Sequence, residues 1–298
     1  AAAVDGTGTR VKGLSIETPG TSLLANAALS STGGAADLTL SLDDIGRSVP
    51  GLSGPVDLRA VANRDSAGLT TVTADLTAAP DTARVEATLP ADLSAERIAL
   101  SLRTTIADLA RFAPLAGRPI AGQITAEVDG TSMSDGSAFD LTLSATTDTI
   151  RSGLPSVDVL TRGAGRLDAV IERTDGRRLI LRSLTATTPQ IDLSASLEGQ
   201  NDTGEAQFTA HLTDVAIYAP DFPGPADITG TATLSEGGLW SIDTAAVGPG
   251  GSTAGLSGTM TADRIFDLGV TGRAPLGLLN AALEPRRIQG MSNFDLRL

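Results

Sequence analysis

The sequence predicts an all-β fold, an elongated and repetitive curled antiparallel sheet with short helical segments between strands. Apolar and polar residues alternate over short runs, as at Leu38, Leu40 and Leu42, which is the period of a strand buried on one face. Turn residues recur at the roughly 8–12-residue spacing of hairpins, since the chain holds 33 glycines and 15 prolines. One sequence plan also recurs along the chain, which is typical of repeat architectures.

The repeated plan is an alternating strand, an apolar segment that closes on a proline, a glycine turn and a second alternating strand. It is clearest at Ala99–Asp129, where Ile106, Leu109 and Phe112 at helical spacing separate two alternating strands. Imperfect copies lie near 37–68, 99–129, 140–176, 207–238 and 267–298. We therefore expect residues 1–298 to form a single elongated β-repeat array. Both termini read as the middle of a pattern, so we also expect a fragment of a longer protein.

Composition and charge exclude several classes of function. The formal net charge of −13 argues against nucleic acid, and against tight docking on an anionic membrane surface. The absence of cysteine excludes disulfides and thiolate metal sites. We expect no transmembrane segment within this chain, because no apolar run reaches the length that a membrane-spanning helix needs.

Catalytic and metal-binding patterns are missing from the sequence. His211 is the one histidine, and we expect it on the polar side of a strand with no carboxylate cluster nearby. The pair Asp43-Asp44 opens a short helical segment, which favours N-capping over acid–base chemistry. Asp135-Gly136 and Asp175-Gly176 are hairpin signals. We expect a protein that is not an enzyme and carries no catalytic, cofactor-binding or metal site.

The one-sided strands leave two alternatives for their apolar faces. The faces could pack on one another in a closed core, as in a sandwich or solenoid. They could instead line a lengthwise groove in an open, curled sheet and accept acyl chains. Moving hydrocarbon out of water is worth about 0.8 kcal/mol per methylene, so a sixteen-carbon chain crossing water alone meets a barrier on the order of 10 kcal/mol.

Under the groove hypothesis, the residues that line the groove for lipid are those on the apolar side of each alternating run. They are Leu40, Leu58, Leu76, Val85, Leu100, Leu102, Ile124, Val128, Phe139, Leu141, Leu143, Ile191, Leu193, Leu197, Phe208, Leu212, Ile228, Leu234, Leu268 and Val270.

The repeated plan resembles the long repeat region of the TamB family, within the wider AsmA-like group. The resemblance lies in the order of strands, apolar segments and turns within each repeat. It covers nearly all of the chain and includes no catalytic motif. It is carried by Asp37–Leu42, Asp44–Leu58, Ala99–Val128, Leu141–Leu154, Ile191–Gly199, Gly224–Leu234 and Asp267–Leu296.

The resemblance implies a periplasmic β-taco, a long U-shaped β-groove with an apolar inside. Family members are anchored in the inner membrane and reach a TamA-like outer-membrane barrel, here through parts outside this chain. The implied function is to shield phospholipid acyl chains during transport between the two membranes. One alternative is a chaperone-like groove that assists assembly of outer-membrane proteins and autotransporters through strand addition. A closed structural β-solenoid is the second alternative.

Overall fold

The computed structural model describes residues 2–5, 8–30, 32–94, 96–174, 178–201, 203–220, 222–261, 266–279 and 288–297. The fold is mostly β-strand, as predicted. The chain divides into two compact units, Ala1–Asp158 and Val159–Leu298. The hairpin signal at Asp175-Gly176 lies outside the described residues.

The first unit is an antiparallel meander in which each strand pairs with the next along the chain. Ser22–Leu29, whose pattern also fits a turn of helix, lies within the third strand. The strands are β1 (Ala2–Asp5), β2 (Gly8–Thr18), β3 (Thr21–Ser30), β4 (Gly33–Leu42), β5 (Val56–Arg64), β6 (Thr70–Ala78), β7 (Asp81–Leu89), β8 (Ile98–Ile106), β9 (Ala121–Ser132) and β10 (Phe139–Arg151).

The second unit repeats this arrangement, again with antiparallel pairing between consecutive strands. A bulge in each of the β11–β12 and β12–β13 pairs shifts the register without reversing the faces of the strands that follow. The strands are β11 (Ala164–Thr174), β12 (Arg178–Thr187), β13 (Ile191–Gln200), β14 (Thr203–Leu212), β15 (Ala226–Ser235), β16 (Leu239–Gly248), β17 (Ser252–Met260), β18 (Phe266–Pro275) and β19 (Met291–Arg297).

Among the described residues, helical structure is limited to single turns between strands. The 3₁₀ turns are Ile45–Arg47, Leu109–Phe112, Val215–Ile217, Pro249–Gly251 and Leu276–Leu279, and the α turns are α1 (Ala113–Ala116) and α2 (Pro155–Asp158). None of these described turns meets the length and apolarity that a bilayer-spanning helix requires. The sequence predicts one helical segment that contains Ile106, Leu109 and Phe112. This prediction is partly wrong, because Ile106 still belongs to β8 and the 3₁₀ turn spans Leu109–Phe112.

The sheet does not close in either unit. Among the described residues, pairing runs between strands that are neighbours in sequence, and no register joins the first and last strand of a unit. The chain exposes 17836 Å² of surface. Two compact globular domains of half its 30.1 kDa mass would together expose only about 14,000 Å². The chain therefore exposes more surface than two compact globular domains of its mass would expose.

Candidate functional site

Strand register gathers the predicted apolar residues of the first unit onto one face of its sheet. Directly paired residues of an antiparallel sheet share a face. Leu40 pairs with Leu58, and Leu58 pairs with Leu76. The next row along the strands runs Val85, Leu102, Val128, Leu143 through β7 to β10. The same registers place Leu100, Ile124, Phe139 and Leu141 on this face.

The second unit gathers its predicted residues in the same way. Leu193 pairs with Ala210, and Ala210 pairs with Ile228. Ile191 pairs with Leu212 at the end of the same two strands. Leu197, Phe208, Leu234, Leu268 and Val270 lie on the same face by the registers of β13 to β18. We call this side of each sheet the apolar face, and the opposite side the polar face.

The apolar faces are not sealed in a core. No large side chain among the described residues is fully buried. The buried apolar residues are few and mostly small, namely Val56, Ala138, Ala145, Ala169 and Leu212. A closed core would bury its leucines almost completely, yet Leu76 is 37% exposed and Val85 is 39% exposed.

The apolar face is nonetheless more crowded than the polar face. Ala245 and Ala246 are neighbours on β16, yet only Ala245, on the polar face, is exposed. Thr244 on the apolar face is half-buried, while Thr229 and Thr231 on the polar face are exposed. Because each comparison holds residue type constant, the difference reflects the neighbours and curl of the sheet rather than side-chain size.

Aromatic rings lean over cross-strand glycines on the second unit's apolar face. The Phe208 ring occupies the space where its cross-strand partner Gly230 would carry a Cβ atom, with Thr244 on the other side. Phe294 covers Gly272 in the same way on β19 and β18. A glycine under each ring lets the ring pack against backbone, so it adds apolar area without projecting far from the sheet.

Charge is almost absent from the apolar faces. At the described positions with an assigned register, the charged residues there are Arg64, Asp81 and Arg173. Asp81 is only 7% exposed, and its Oδ2 lies 2.5 Å from Nη1 of Arg111. Asp81 Oδ1 also accepts a 2.8 Å hydrogen bond from the Ala107 N–H, so its charge is compensated.

Repeated turns cap one edge of each sheet. The Asp44 carboxylate accepts hydrogen bonds from the Gly46 and Gly54 N–H groups, both at 3.0 Å. The donors lower the pKa of Asp44, with Gly46 contributing most. The predicted N-capping role of Asp44 is confirmed.

The same cap occurs in the second unit and, in part, at the centre of the first. Asp214 accepts from Ala216 (2.9 Å) and Gly224 (2.8 Å), and the Gly224 donor is the larger cause of its lowered pKa. Asp108 caps Leu109–Phe112 through the Ala110 N–H at 2.9 Å. Copies 37–68, 99–129 and 207–238 of the sequence plan thus share an Asp-capped 3₁₀ turn.

The polar faces carry ion pairs between neighbouring strands, such as Arg84 with Asp75 at 3.0 Å. The expectation for His211 was half right. It is exposed on the polar face, but carboxylates flank it: it pairs in register with Asp192 and Asp227, and its Nδ1 lies 2.7 Å from Asp227 Oδ1. Sequence analysis missed these two carboxylates because Asp192 and Asp227 lie on the neighbouring strands β13 and β15. No group of three or more metal-ligating side chains forms among the described residues.

Shallow depressions lie on the polar face. One of about 590 Å³ crosses β12 to β16, and its polar lining includes Ser194, Gln207, Thr209 and Asp243. A twisted sheet is saddle-shaped, so both of its faces are locally concave in one direction. The depression is wide, and hydroxyl, amide and carboxylate groups lie among its apolar lining atoms, so the continuous apolar face remains the candidate site.

Comparison with known proteins gives no neighbour, since no family model, curated protein or solved structure matches this chain.

Proposed function

We propose that this chain shields the acyl chains of phospholipids along the apolar face of its sheet, as part of a periplasmic protein that carries lipid between two membranes. The observation that supports it is that, in each unit, the predicted groove residues share one apolar face, which no second layer of described structure covers. A face of this kind is an unusual feature for a soluble surface and favours a binding role.

The energetics favour hydrocarbon as the occupant. Each methylene that leaves water for this face gains about 0.8 kcal/mol, so most of the desolvation barrier of an acyl chain is removed along the path. Leu, Val, Ala and Phe make no directional bonds that would hold the chain at one position. The rings of Phe208 and Phe294 lean over Gly230 and Gly272, which leaves less of each ring projecting into the path of a sliding chain.

The charge distribution agrees with this function. Acidic residues number 35 against 22 basic ones, and the registers place almost all of the charged residues within the described strands on the polar face. The polar face keeps the sheet hydrated while the apolar face stays free of uncompensated carboxylates, which would repel lipid phosphates.

Location and partners form the further part of the proposal. The resemblance to the TamB family supports a periplasmic setting, an inner-membrane anchor and a TamA-like barrel contacted through parts outside this chain. Under the same proposal the chain is a repeat segment rather than an enzyme, with no cofactor.

A pair of cross-linking positions tests acyl-chain binding. A photoreactive residue is placed at Leu193 on the apolar face, or at the adjacent Ser194 on the polar face. Leu143 and Thr142 form the matching pair in the first unit. After incubation with phosphatidylethanolamine–phosphatidylglycerol vesicles, we expect lipid capture at Leu193 and Leu143 and little at their neighbours.

Equal capture at both members of each pair, or none at either, would refute the proposal. Capture of an unfolded outer-membrane β-barrel protein in place of lipid would favour the chaperone-like alternative. As a second measurement, Leu193→Gln should leave the fold intact and reduce lipid bound, because Leu193 lies on an open face. Unfolding by Leu193→Gln would instead indicate a closed core.

A further inference from the structure

We propose that the guanidinium of Arg64 binds the phosphate of a phospholipid headgroup at one edge of the first unit's apolar face. This inference rests on the proposed function and deepens it, because it assigns an orientation to the lipid. The acyl chains would run from that edge across the face.

The two edges of the first unit's sheet differ. The loop edge is formed by the turns 43–55 and 107–120, beside the β2–β3 turn, where the Asp43 N–H donates to Gly20 O at 2.9 Å. The hairpin edge is formed by the connections 65–69 and 133–138, and by the described residues between β7 and β8, at the other ends of the strands. In the part of this unit that the structure describes, only the loop edge carries capped 3₁₀ turns.

Arg111 at the loop edge, which pairs with Asp81 on the apolar face, is already occupied. Besides Asp81, Arg111 Nη1 donates to Ala78 O at 2.7 Å, and its Nη2 donates to Ser53 O at 3.3 Å. Arg111 therefore has compensated charge and few donors left for an anion.

Arg64 at the hairpin edge is different. It pairs in register with Gly34 and Thr70, so it lies on the apolar face. It is exposed, and its side chain makes no hydrogen bond or ion pair with any described residue. Its Nη2 lies 3.3 Å from where a Cβ atom on Gly68 would be, which places the guanidinium against the β5–β6 hairpin.

Charge complementarity selects an anion with a long apolar tail. The nearest acidic neighbour in sequence, Asp65, is engaged by the Ala67 and Leu69 N–H groups of the hairpin, each at 2.9 Å. A guanidinium forms paired, charge-assisted hydrogen bonds with phosphate oxygens. Because the rows of Ala62 and Ala60 begin beside Arg64 on the same face, a phosphate held there leaves its acyl chains on apolar surface.

The test compares two lipids that differ only in the phosphate headgroup. The full chain is incubated with detergent micelles holding equal amounts of dioleoyl phosphatidylglycerol and dioleoylglycerol, repurified, and its bound lipid is measured by mass spectrometry. We expect the unaltered chain to prefer phosphatidylglycerol, and Arg64→Gln to reduce that preference about tenfold. Arg64→Lys should keep part of the preference, since it retains the charge but loses the paired geometry.

Arg59→Gln is the matched control, because Arg59 is an exposed arginine on the polar face of the same strand. It should leave the lipid preference unchanged. A second measurement needs no variant: the preference of the unaltered chain should fall as salt is raised from about 0.05 M to about 0.5 M.

The outcomes separate the two proposals. Equal binding of both lipids by the unaltered chain, or the same preference after Arg64→Gln, would overturn the role of Arg64 while leaving acyl-chain shielding in place. Binding of neither lipid would overturn the proposed function itself. Competition by millimolar inorganic phosphate as effective as that by phosphatidylglycerol would show a free-phosphate site and overturn headgroup recognition.

Discussion

Asp44 and Asp214, which lie in different units, each accept hydrogen bonds from the backbone N–H groups two and ten residues further along the chain. The surrounding backbone matches as well, since Ile45 N–H donates to Gly54 O and Val215 N–H donates to Gly224 O. One carboxylate thus fixes both the start of a 3₁₀ turn and the glycine that precedes the next strand. In copies 37–68 and 207–238, the repeated sequence plan is therefore a repeated hydrogen-bonding unit.

Removing either cap should destabilise its unit. Asp44→Ala or Asp214→Ala leaves two backbone N–H groups without their acceptor and frees the turn that joins β4 to β5 or β14 to β15. We expect a lower midpoint in urea unfolding followed by circular dichroism. Asp43→Ala is the control, because only its backbone N–H is used in this turn. An equal effect of Asp43→Ala would contradict the capping role.

The caps also predict a pH dependence. Backbone donors hold the folded-state pKa of Asp44 and Asp214 below the ordinary value of 3.8. Each carboxylate therefore stabilises the fold fully above about pH 4, and that contribution is lost as pH falls through the lowered folded pKa. In urea titrations at a series of pH values, Asp44→Asn with Asp214→Asn should flatten this acid limb. An unchanged slope would exclude these caps as its source.

The ring of Phe208 over Gly230 predicts a steric limit on the apolar face. In Gly230→Ala the new methyl group meets both the Phe208 ring and Thr244, so we expect a loss of about 1–3 kcal/mol in free energy of unfolding. Gly255→Ala on β17 is the control, because its methyl group would make only ordinary contacts at 3.6 Å. Combining Gly230→Ala with Phe208→Leu should recover part of the loss. Equal effects of the two alanine variants would contradict this packing.

The Asp81–Arg111 pair should matter more than any surface ion pair. Arg111→Met leaves the Asp81 carboxylate, 7% exposed, without its cation, which costs about 3 kcal/mol or more. Arg103→Met removes the exposed pair with Glu127 and should cost less than about 1 kcal/mol. Adding Asp81→Asn to Arg111→Met should restore part of the stability. Calorimetric unfolding of the variants measures these differences, and a small effect of Arg111→Met would refute the pairing.

The presence of a strand, and which of its two sides is apolar, were predictable from the sequence because both depend on residues that are close together in the chain. The alternation from Ile191 to Leu197 predicts β13 and its apolar side, and the structure has that strand at Ile191–Gln200. The cap at Asp44 was equally local, since its first donor, Gly46, lies within the same turn. The end of β8 was not predicted, because Ile106 fits both a strand and a helical stripe.

Side-chain contacts between neighbouring strands could not be predicted from the sequence. The partners of His211, the ring of Phe208 over Gly230 and the ion pair of Asp81 with Arg111 all depend on register. Register is set by turn lengths and bulges, and a shift of one residue would reverse which side chains meet. No pattern along one strand carries that information.

By itself the sequence determined that this protein is built of one-sided β-strands joined by capped turns, because alternation and turn chemistry act over a few residues. Tertiary structure alone decided that the apolar sides line up strand after strand, stay open to solvent, and place Asp81 and Arg64 at opposite edges of one face. The physical reason is that pairing and curl arise from hydrogen bonds and packing between residues far apart in the chain.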